Sequence, residues 1–335
     1  EGRIVRQEGR WCNEHASGIM LAPREAHESS FLAHLAIKQL EALAKQKSSQ
    51  PFCMRIDFWG PHQPYFPSKE FADMYPPENI ELPESLFEDV YHNHKPEIYA
   101  TEKNRGLGEN GRLIYPSPFP REEWKRVLAR AYAQITQVDA AAGLILDAVK
   151  ALGFEEDTMV IMTTDHGDAL ACHGGHFDKA SYMPEEMVRV PLAVRWPQIL
   201  PAGVKSDALV SNTDIGPTIL DAANTTYSVP VSGKSLRYAL GSDFRDAVVS
   251  ETHGHMEEHF GRAMMTKQYK YIYNRGQLDE LYDLENDSHE LNNLAVVPEY
   301  AGLYRKMQER LLAWGREYAD SELVDSLSKE MRINE

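Results

Sequence analysis

Apolar residues recur at helical spacing over 27–46, where Phe31, Leu35, Leu40 and Leu43 stand among polar neighbours, and this period predicts an amphipathic helix. The polar run Lys47-Ser48-Ser49-Gln50 before Pro51 ends it, and 52–59 reads as a strand delivering the loop Gly60-Pro61-His62-Gln63-Pro64. From 68 to 120 the period is lost and Pro, Asn and Glu dominate, which predicts a long irregular excursion over a surface. The most regular stretch follows. Trp124, Leu128, Ala131, Ile135, Val138, Ala142, Ile145, Val149 and Leu152 fall at steps of three and four, a long helix stopped by Gly153 in the manner of a C′ glycine. A buried strand is expected over 158–164, and helix, short loop and strand make an α/β unit, most simply with a parallel sheet. A strand over 191–196 and a short helix near 214–223 continue the alternation. Past 245 the short strands 247–251, 262–266, 269–273 and 280–283 predict a small antiparallel sheet. A last helix over 298–318, with Leu303, Met307, Leu311 and Trp314 on one stripe, completes a small α+β subdomain. The expected division is a main α/β domain over 1–240 and a subdomain over 241–335.

Composition narrows the function classes. The chain has 335 residues with 35 Lys+Arg against 51 Asp+Glu, a formal net charge of −16, and no basic block, which argues against a nucleic-acid partner. No window reaches the ~18 consecutive apolar residues of a membrane-spanning helix. An acidic protein that takes an anionic substrate must attract it locally, through a metal or a few placed cations. Cys12, Cys53 and Cys172 are odd in number and far apart, so neither a disulfide framework nor a zinc motif follows, and free thiols are expected. The opening residues Glu-Gly-Arg-Ile-Val-Arg carry no initiator Met and no leader pattern, so the expectation is a chain that starts inside a longer protein.

At the carboxyl end of the strand over 158–164 stands Thr164-Asp165-His166-Gly167-Asp168. Ligands of open α/β sheets sit at carboxyl strand ends, so Asp165 and His166 are placed to hold a cation. Position alone leaves open the plainer reading of a capped turn with a surface histidine. The continuation Ala171-Cys172-His173-Gly174-Gly175-His176-Phe177-Asp178-Lys179, then Pro184-Glu185-Glu186 and Arg189-Val190-Pro191-Leu192, together with His166 and Gly167 puts three histidines, a lysine and several glycines in one loop region.

This stretch resembles the sulfatase family of the alkaline phosphatase superfamily, whose pattern is Asp-His/Asn-Gly-Asp, a Gly/Asp-His-Gly step, a Lys, then Glu-Glu and Arg-Val-Pro-Leu. Residues 51–64 are similar to the family's strand ending in Pro-His-x-Pro, and 132–139 with Leu152-Gly153 to its long helix. Lys270-Tyr271-Ile272-Tyr273, Glu280-Leu281-Tyr282-Asp283-Leu284 and Glu290-Leu291-Asn292-Asn293-Leu294 resemble its C-terminal subdomain. The resemblance implies an alkaline phosphatase-like fold, a largely parallel mixed sheet flanked by helices with a small C-terminal antiparallel subdomain.

It also implies a metal-dependent sulfuric ester hydrolase acting on a small-molecule or glycan sulfate ester. Asp165 and His166 correspond to metal ligands, calcium first, with manganese or zinc as alternatives because His166 brings nitrogen where Asn is frequent. Lys179 corresponds to a cation on the sulfate and leaving-group oxygens, and His62 to a residue that bonds substrate and can protonate the leaving oxygen. His173 matches a recurring histidine that either touches substrate or orients the loop. Asp168 is expected to act as a supporting residue. The histidine-rich run from Thr252 to His259 reads equally as a recognition loop or a solvated turn.

One part of the pattern is absent. The family's Cys/Ser-x-Pro-x-Arg, whose Cys or Ser becomes a formylglycine nucleophile, occurs nowhere in the 335 residues; Ser117-Pro118-Phe119-Pro120-Arg121 and Ser228-Val229-Pro230-Val231-Ser232 both miss it. The expectation is a nucleophile lying outside this segment and a segment inactive by itself. Two alternatives stand beside the hydrolase: a phosphonate monoester or phosphodiester hydrolase on the same scaffold, and a non-catalytic relative that binds sulfated glycans.

Overall fold

The computed structural model describes residues 7–12, 17–46, 50–90, 93–101, 106–107, 113–114, 120–241, 244–255 and 257–333. Residues 1–6, Ser117–Phe119 of the first near-miss motif, Met256 and the Cys12 side chain lie outside this description. Cys53 and Cys172 are free thiols. Among the described residues no helix is long and apolar enough to cross a membrane. Two compact units emerge, one built from 1–86, 104–158 and 170–178, the other from 87–103, 159–169 and 179–335. The chain therefore passes back and forth between them.

In the first unit β1 (Gln7–Cys12) and β2 (Ser17–Met20) pair antiparallel, and two parallel bridges join Ser17 to Tyr65 and Met20 to Ser68. Helix α1 (Glu28–Gln46) lies against α2 (Arg121–Ala151). Their contact buries Ala33, Ala36 and Leu40 against Ala141, Ile145 and Val149. Small residues line this seam because close helix approach admits little volume, so Phe31 and Leu35, expected on the buried stripe, stand 58% and 45% exposed on the other side. In 52–59 every second residue, Phe52, Met54, Ile56 and Phe58, packs on the same cluster, but no ladder hydrogen bond makes the expected strand among the described residues. Glu122 and Glu123 in the first turn of α2 and Lys150 in its last complement the helix dipole. The helix ends as read: Gly153 sits at φ +78, its N–H bonds the Lys150 carbonyl at 3.0 Å, and the Phe154 N–H bonds the Val149 carbonyl at 2.9 Å. The amino-terminal half of α2 buries Trp124, Val127, Leu128 and Ala131 with Tyr65 and Phe177.

In the second unit β3 (Val160–Thr163) is followed by the one-turn helix α3 (Glu185–Val188) and β4 (Leu192–Arg195). Here the parallel expectation is corrected, because β3 and β4 pair antiparallel with Val160 opposite Arg195 and Thr163 opposite Leu192. The connection between them holds loop and two single helical turns, Cys172–Gly175 and Glu185–Val188, and brings the chain back reversed, whereas parallel neighbours need a crossover. A capping box at Ser211 starts the 3-10 turn Asn212–Asp214 that leads into helix α4 (Ile215–Ala222), and buried Asp214 takes two hydrogen bonds of 2.7 Å from Arg245. Strands β5 (Val248–Gly254), β6 (Glu258–Met265), β7 (Tyr269–Asn274) and β8 (Glu280–Asp283) form the expected antiparallel meander in chain order. Against it pack α5 (Ala301–Glu317) and α6 (Ser321–Ile333), burying Met307, Leu311, Leu323, Leu327 and Met331 with Phe260, Tyr271 and Tyr273. The α/β class and the antiparallel α+β end of the chain hold; α6 is an addition.

Where β7 meets α5, buried Asp279 accepts hydrogen bonds from the Tyr271 and Tyr304 hydroxyls at 2.6 and 2.7 Å and from the Asn274 N–H at 3.1 Å. Burial pushes its carboxyl up to about 6, against the lowering effect of those donors. A folded-state value above the unfolded one means that the folded protein holds the proton more tightly, so this stabilisation is complete below about pH 4 and is lost as pH rises toward 6. A displacement of this size is worth on the order of 3 kcal/mol. Asp279→Asn should remove this downward slope of stability between pH 4 and 6, read from urea-unfolding midpoints; a variant with the parent's slope would show that another group carries it.

Candidate active site

His62 and His173 belong to the first compact unit, Asp165, His166 and Lys179 to the second. In the first, the His62 loop hangs from both long helices. The Gly60 N–H donates to Glu28 Oε1 of α1 at 3.1 Å, and the Phe66 N–H to Gln134 Oε1 of α2 at 2.6 Å. Three residues further along α2, Gln137 accepts from the Ser68 N–H at 2.9 Å. Both glutamines are buried on the face toward the loop, so their amides replace water for backbone groups that would otherwise be unsatisfied. His62 Nδ1–H donates to the Gln63 carbonyl at 2.7 Å, and Nε2 lies 3.5 Å from Asp178 Oδ1. Each ring nitrogen thus faces an acceptor, and the doubly protonated ring has a partner for both N–H groups. Trp59, 61% exposed, stands with its ring centroid 5.0 Å from that of His62.

The loop 170–178 closes under this histidine in an unusual backbone. Leu170, Ala171, His173 and Asp178 all have positive φ, an uncommon conformation for residues with a side chain and a form of strain that collects at functional sites. Packing holds it: the Phe177 ring stacks on Trp124 with centroids 5.5 Å apart, and the Ala171 N–H bonds the His176 carbonyl at 2.7 Å. His173 is fully buried, its N–H donates to Ser85 Oγ at 3.2 Å, and its carbonyl accepts from His176 Nδ1–H at 2.5 Å. These main-chain bonds of His173 fix the backbone of the loop at that point.

In the second unit the carboxyl end of β3 is pinned from the side. Asn212 Nδ2 donates to the Thr164 carbonyl at 2.8 Å, and the Thr163 hydroxyl donates to Asn212 Oδ1 at 3.2 Å. Asp165 then projects 85% exposed, with Oδ1 accepting from the His166 N–H at 3.1 Å and the Thr164 hydroxyl at 3.3 Å. Burial raises its carboxyl, but neighbouring His166, the backbone N–H groups and Thr164 together outweigh this and hold it below the usual carboxylate range. His166 Nδ1–H donates to the Gly167 carbonyl at 2.6 Å, the second bond by which metal-binding histidines are commonly fixed. That tautomer puts the lone pair on Nε2, which lies 3.8 Å from Asp165 Oδ2. An anionic oxygen and an imidazole nitrogen at that separation can both reach one divalent ion at ordinary bond lengths, so the donor set fits a metal. Gly167 follows because nothing larger fits: a Cβ there would lie 1.8 Å from the Glu186 carbonyl oxygen. Lys179 is half-buried in this unit.

The run from Thr252 to His259 takes in the end of β5, Thr252–Gly254, and the start of β6, Glu258–His259. His259 is buried with Nε2 3.0 Å from Asn274 Oδ1, the His255 N–H donates to Ser181 Oγ at 2.7 Å, and His253 is exposed beside Glu251. The partners that the sequence pattern left unread are Asp178, the neighbour of His62, Gln134 and Gln137 behind its loop, and Asn212 behind Asp165. Of these only Asp178 carried a signal, its place directly before Lys179.

Residues 11–225 match the sulfatase family, and residues 172–317 match the family described as N-sulphoglucosamine sulphohydrolase, C-terminal. An arylsulfatase of Clostridium perfringens is 29% identical over 298 residues, which cover 86% of this chain and 58% of that protein. A structure solved in complex with its substrate, D-glucosamine-2-N,6-O-disulfate, superimposes with a TM-score of 0.75 at 22% identity, covering 88% of this chain and 70% of the other. The phosphonate monoester hydrolase of Agrobacterium radiobacter gives 0.76, also at 22%, covering 89% and 62%. Both likenesses show the fold. The chain spans 58 to 62% of the length of three curated relatives that it matches.

Proposed function

The chain belongs to the sulfatase family, and we propose that it supplies the metal ligands, the acid and the charge-stabilising lysine of a sulfuric ester hydrolase acting on small-molecule or glycan sulfate esters. The observation that carries the reading is the Asp165 and His166 pair at the end of β3, with Oδ2 and Nε2 3.8 Å apart and the histidine tautomer set by the Gly167 carbonyl. A divalent cation held there would act as a Lewis acid, withdrawing charge from the ester's sulfur centre. Asp165 contributes the anionic oxygen and His166 the nitrogen. Lys179 meets the charge that grows on the departing oxygen as the S–O bond breaks. His62 gives that oxygen its proton; the Gln63 carbonyl orients the ring and Asp178 faces the nitrogen opposite. The nucleophile is a formylglycine from residues other than these 335, none of which form the motif it requires.

The test uses the protein from its complete reading frame and a pair of esters. His62→Ala should lose far more rate on an alkyl sulfate than on a nitrophenyl sulfate, because a good leaving group needs less protonation. Equal losses would remove His62 as the acid. A second reading, a phosphonate monoester or phosphodiester hydrolase, is favoured by the imidazole of His166, since nitrogen moves the metal preference toward manganese or zinc. The same assay with phosphonate and phosphate diesters decides it by which ester has the highest kcat/KM.

A further inference from the structure

Within the second unit, a buried ion cluster stands behind the Asp165 loop and takes no part in the chemistry above. Lys270 of β7 is 0% exposed. Its Nζ lies 2.9 Å from Glu290 Oε1 and 3.3 Å from Glu185 Oε1. Burial works against its charge, but Glu290 and Glu185 outweigh that and hold the ammonium above its usual range. Glu290 is itself buried and held twice more: Oε2 accepts the Glu185 backbone N–H at 2.8 Å, and its carbonyl accepts from buried Lys95 at 2.7 Å. Glu185 opens α3, and two residues later the Met187 carbonyl accepts the Gly167 N–H at 2.8 Å. Gly167 in turn presses so closely on the Glu186 carbonyl that no side chain fits between. A continuous line of charge pairs and hydrogen bonds therefore runs from the meander to the residue after His166.

A buried ion pair is weak support for stability, since well-packed apolar residues of similar volume often do as well or better. What the cluster does provide is position, because a lysine between two carboxylates on different segments fixes where α3 can sit. We propose that Lys270, Glu290 and Glu185 are positioning residues that set α3, and through it the Asp165–His166 loop, at the place where both donor atoms meet one cation. This rests on the reading of Asp165 and His166 as metal ligands.

The experiment titrates metal-free protein from the complete reading frame with calcium and with manganese by calorimetry, and records the thermal midpoint of the same metal-free samples. Lys270→Met keeps the volume and removes the charge. It should weaken metal binding about 10-fold or more, the range typical of lost outer partners of metal ligands, while the metal-free midpoint stays level or rises. Lys270→Arg should recover part of the affinity. Glu185→Gln keeps its backbone bond to Glu290 and should show a smaller loss, which serves if Lys270→Met does not fold. Leu327→Ala, a cavity in the α5–α6 core, is the control for general loosening. Wild-type affinity in Lys270→Met, with metal lost by Asp165→Ala, overturns the positioning proposal alone. So does an affinity loss in Leu327→Ala as large as that in Lys270→Met. Metal retained by Asp165→Ala removes the ligand reading and this proposal with it.

Discussion

Asp165→Ala is expected to strip the complete enzyme of its cation and abolish turnover. Asp165 brings the only anionic oxygen of the adjacent pair, and removing it leaves one neutral imidazole at the end of β3, which cannot hold a divalent ion by itself. The fold should survive, because the side chain is 85% exposed and its described bonds are local, to the His166 N–H and the Thr164 hydroxyl. His166→Asn is the informative partner. It exchanges nitrogen for an oxygen ligand, so a calcium enzyme should remain active while one relying on manganese or zinc should be impaired. Elemental analysis of purified protein beside activity with each metal reads both outcomes, and full metal occupancy in Asp165→Ala would move the site to another loop.

Lys179→Ala should lower kcat/KM by about 10²-fold or more, the order seen when one preorganised donor to a developing charge is removed. The loss should fall on kcat, because the lysine meets a charge that is largest in the transition state. A change confined to KM would mean that Lys179 binds ground state and transition state alike, and its role would shrink to holding sulfate. Lys179→Arg is not expected to restore the rate fully, since a planar fork places its charge differently from a compact ammonium.

The long helix and its stop were legible because one face of 31 residues repeats at the helical period and Gly153 supplies the positive φ that ends it. The meander was legible for a similar reason, being local in sequence and joined by tight turns. The direction of the β3–β4 pairing was not, since element order does not say whether a connection crosses over or doubles back. Helix α6 escaped although Asp320 caps it, accepting the Leu323 N–H at 3.1 Å, and Leu323, Leu327 and Met331 repeat every fourth residue. The stripe ending at Trp314 drew the boundary too early. Within the site, residue types that carry chemistry in motifs were readable, but their supports were not. Gln134 and Lys270 belong to classes usually exposed, and only long-range contact turns them into buried partners, while Asn212 stays exposed and meets Thr164 only through the fold.

The interleaved path of the chain has a consequence for synthesis. Within these 335 residues the first compact unit draws its last segment from 170–178, so its segments here have all been made once those residues have left the ribosome. The second needs 87–103 and 159–169 as well as everything from 179 onward. At 5–20 residues per second, roughly 150 further residues take about 8 to 30 s to emerge. During that interval the segment bearing Asp165 and His166 is already made but has no meander to dock against. Chaperone capture and proteolysis of nascent chains should therefore concentrate on 159–169, and synonymous changes that slow translation after residue 179 should lower the yield of folded protein without altering a single amino acid.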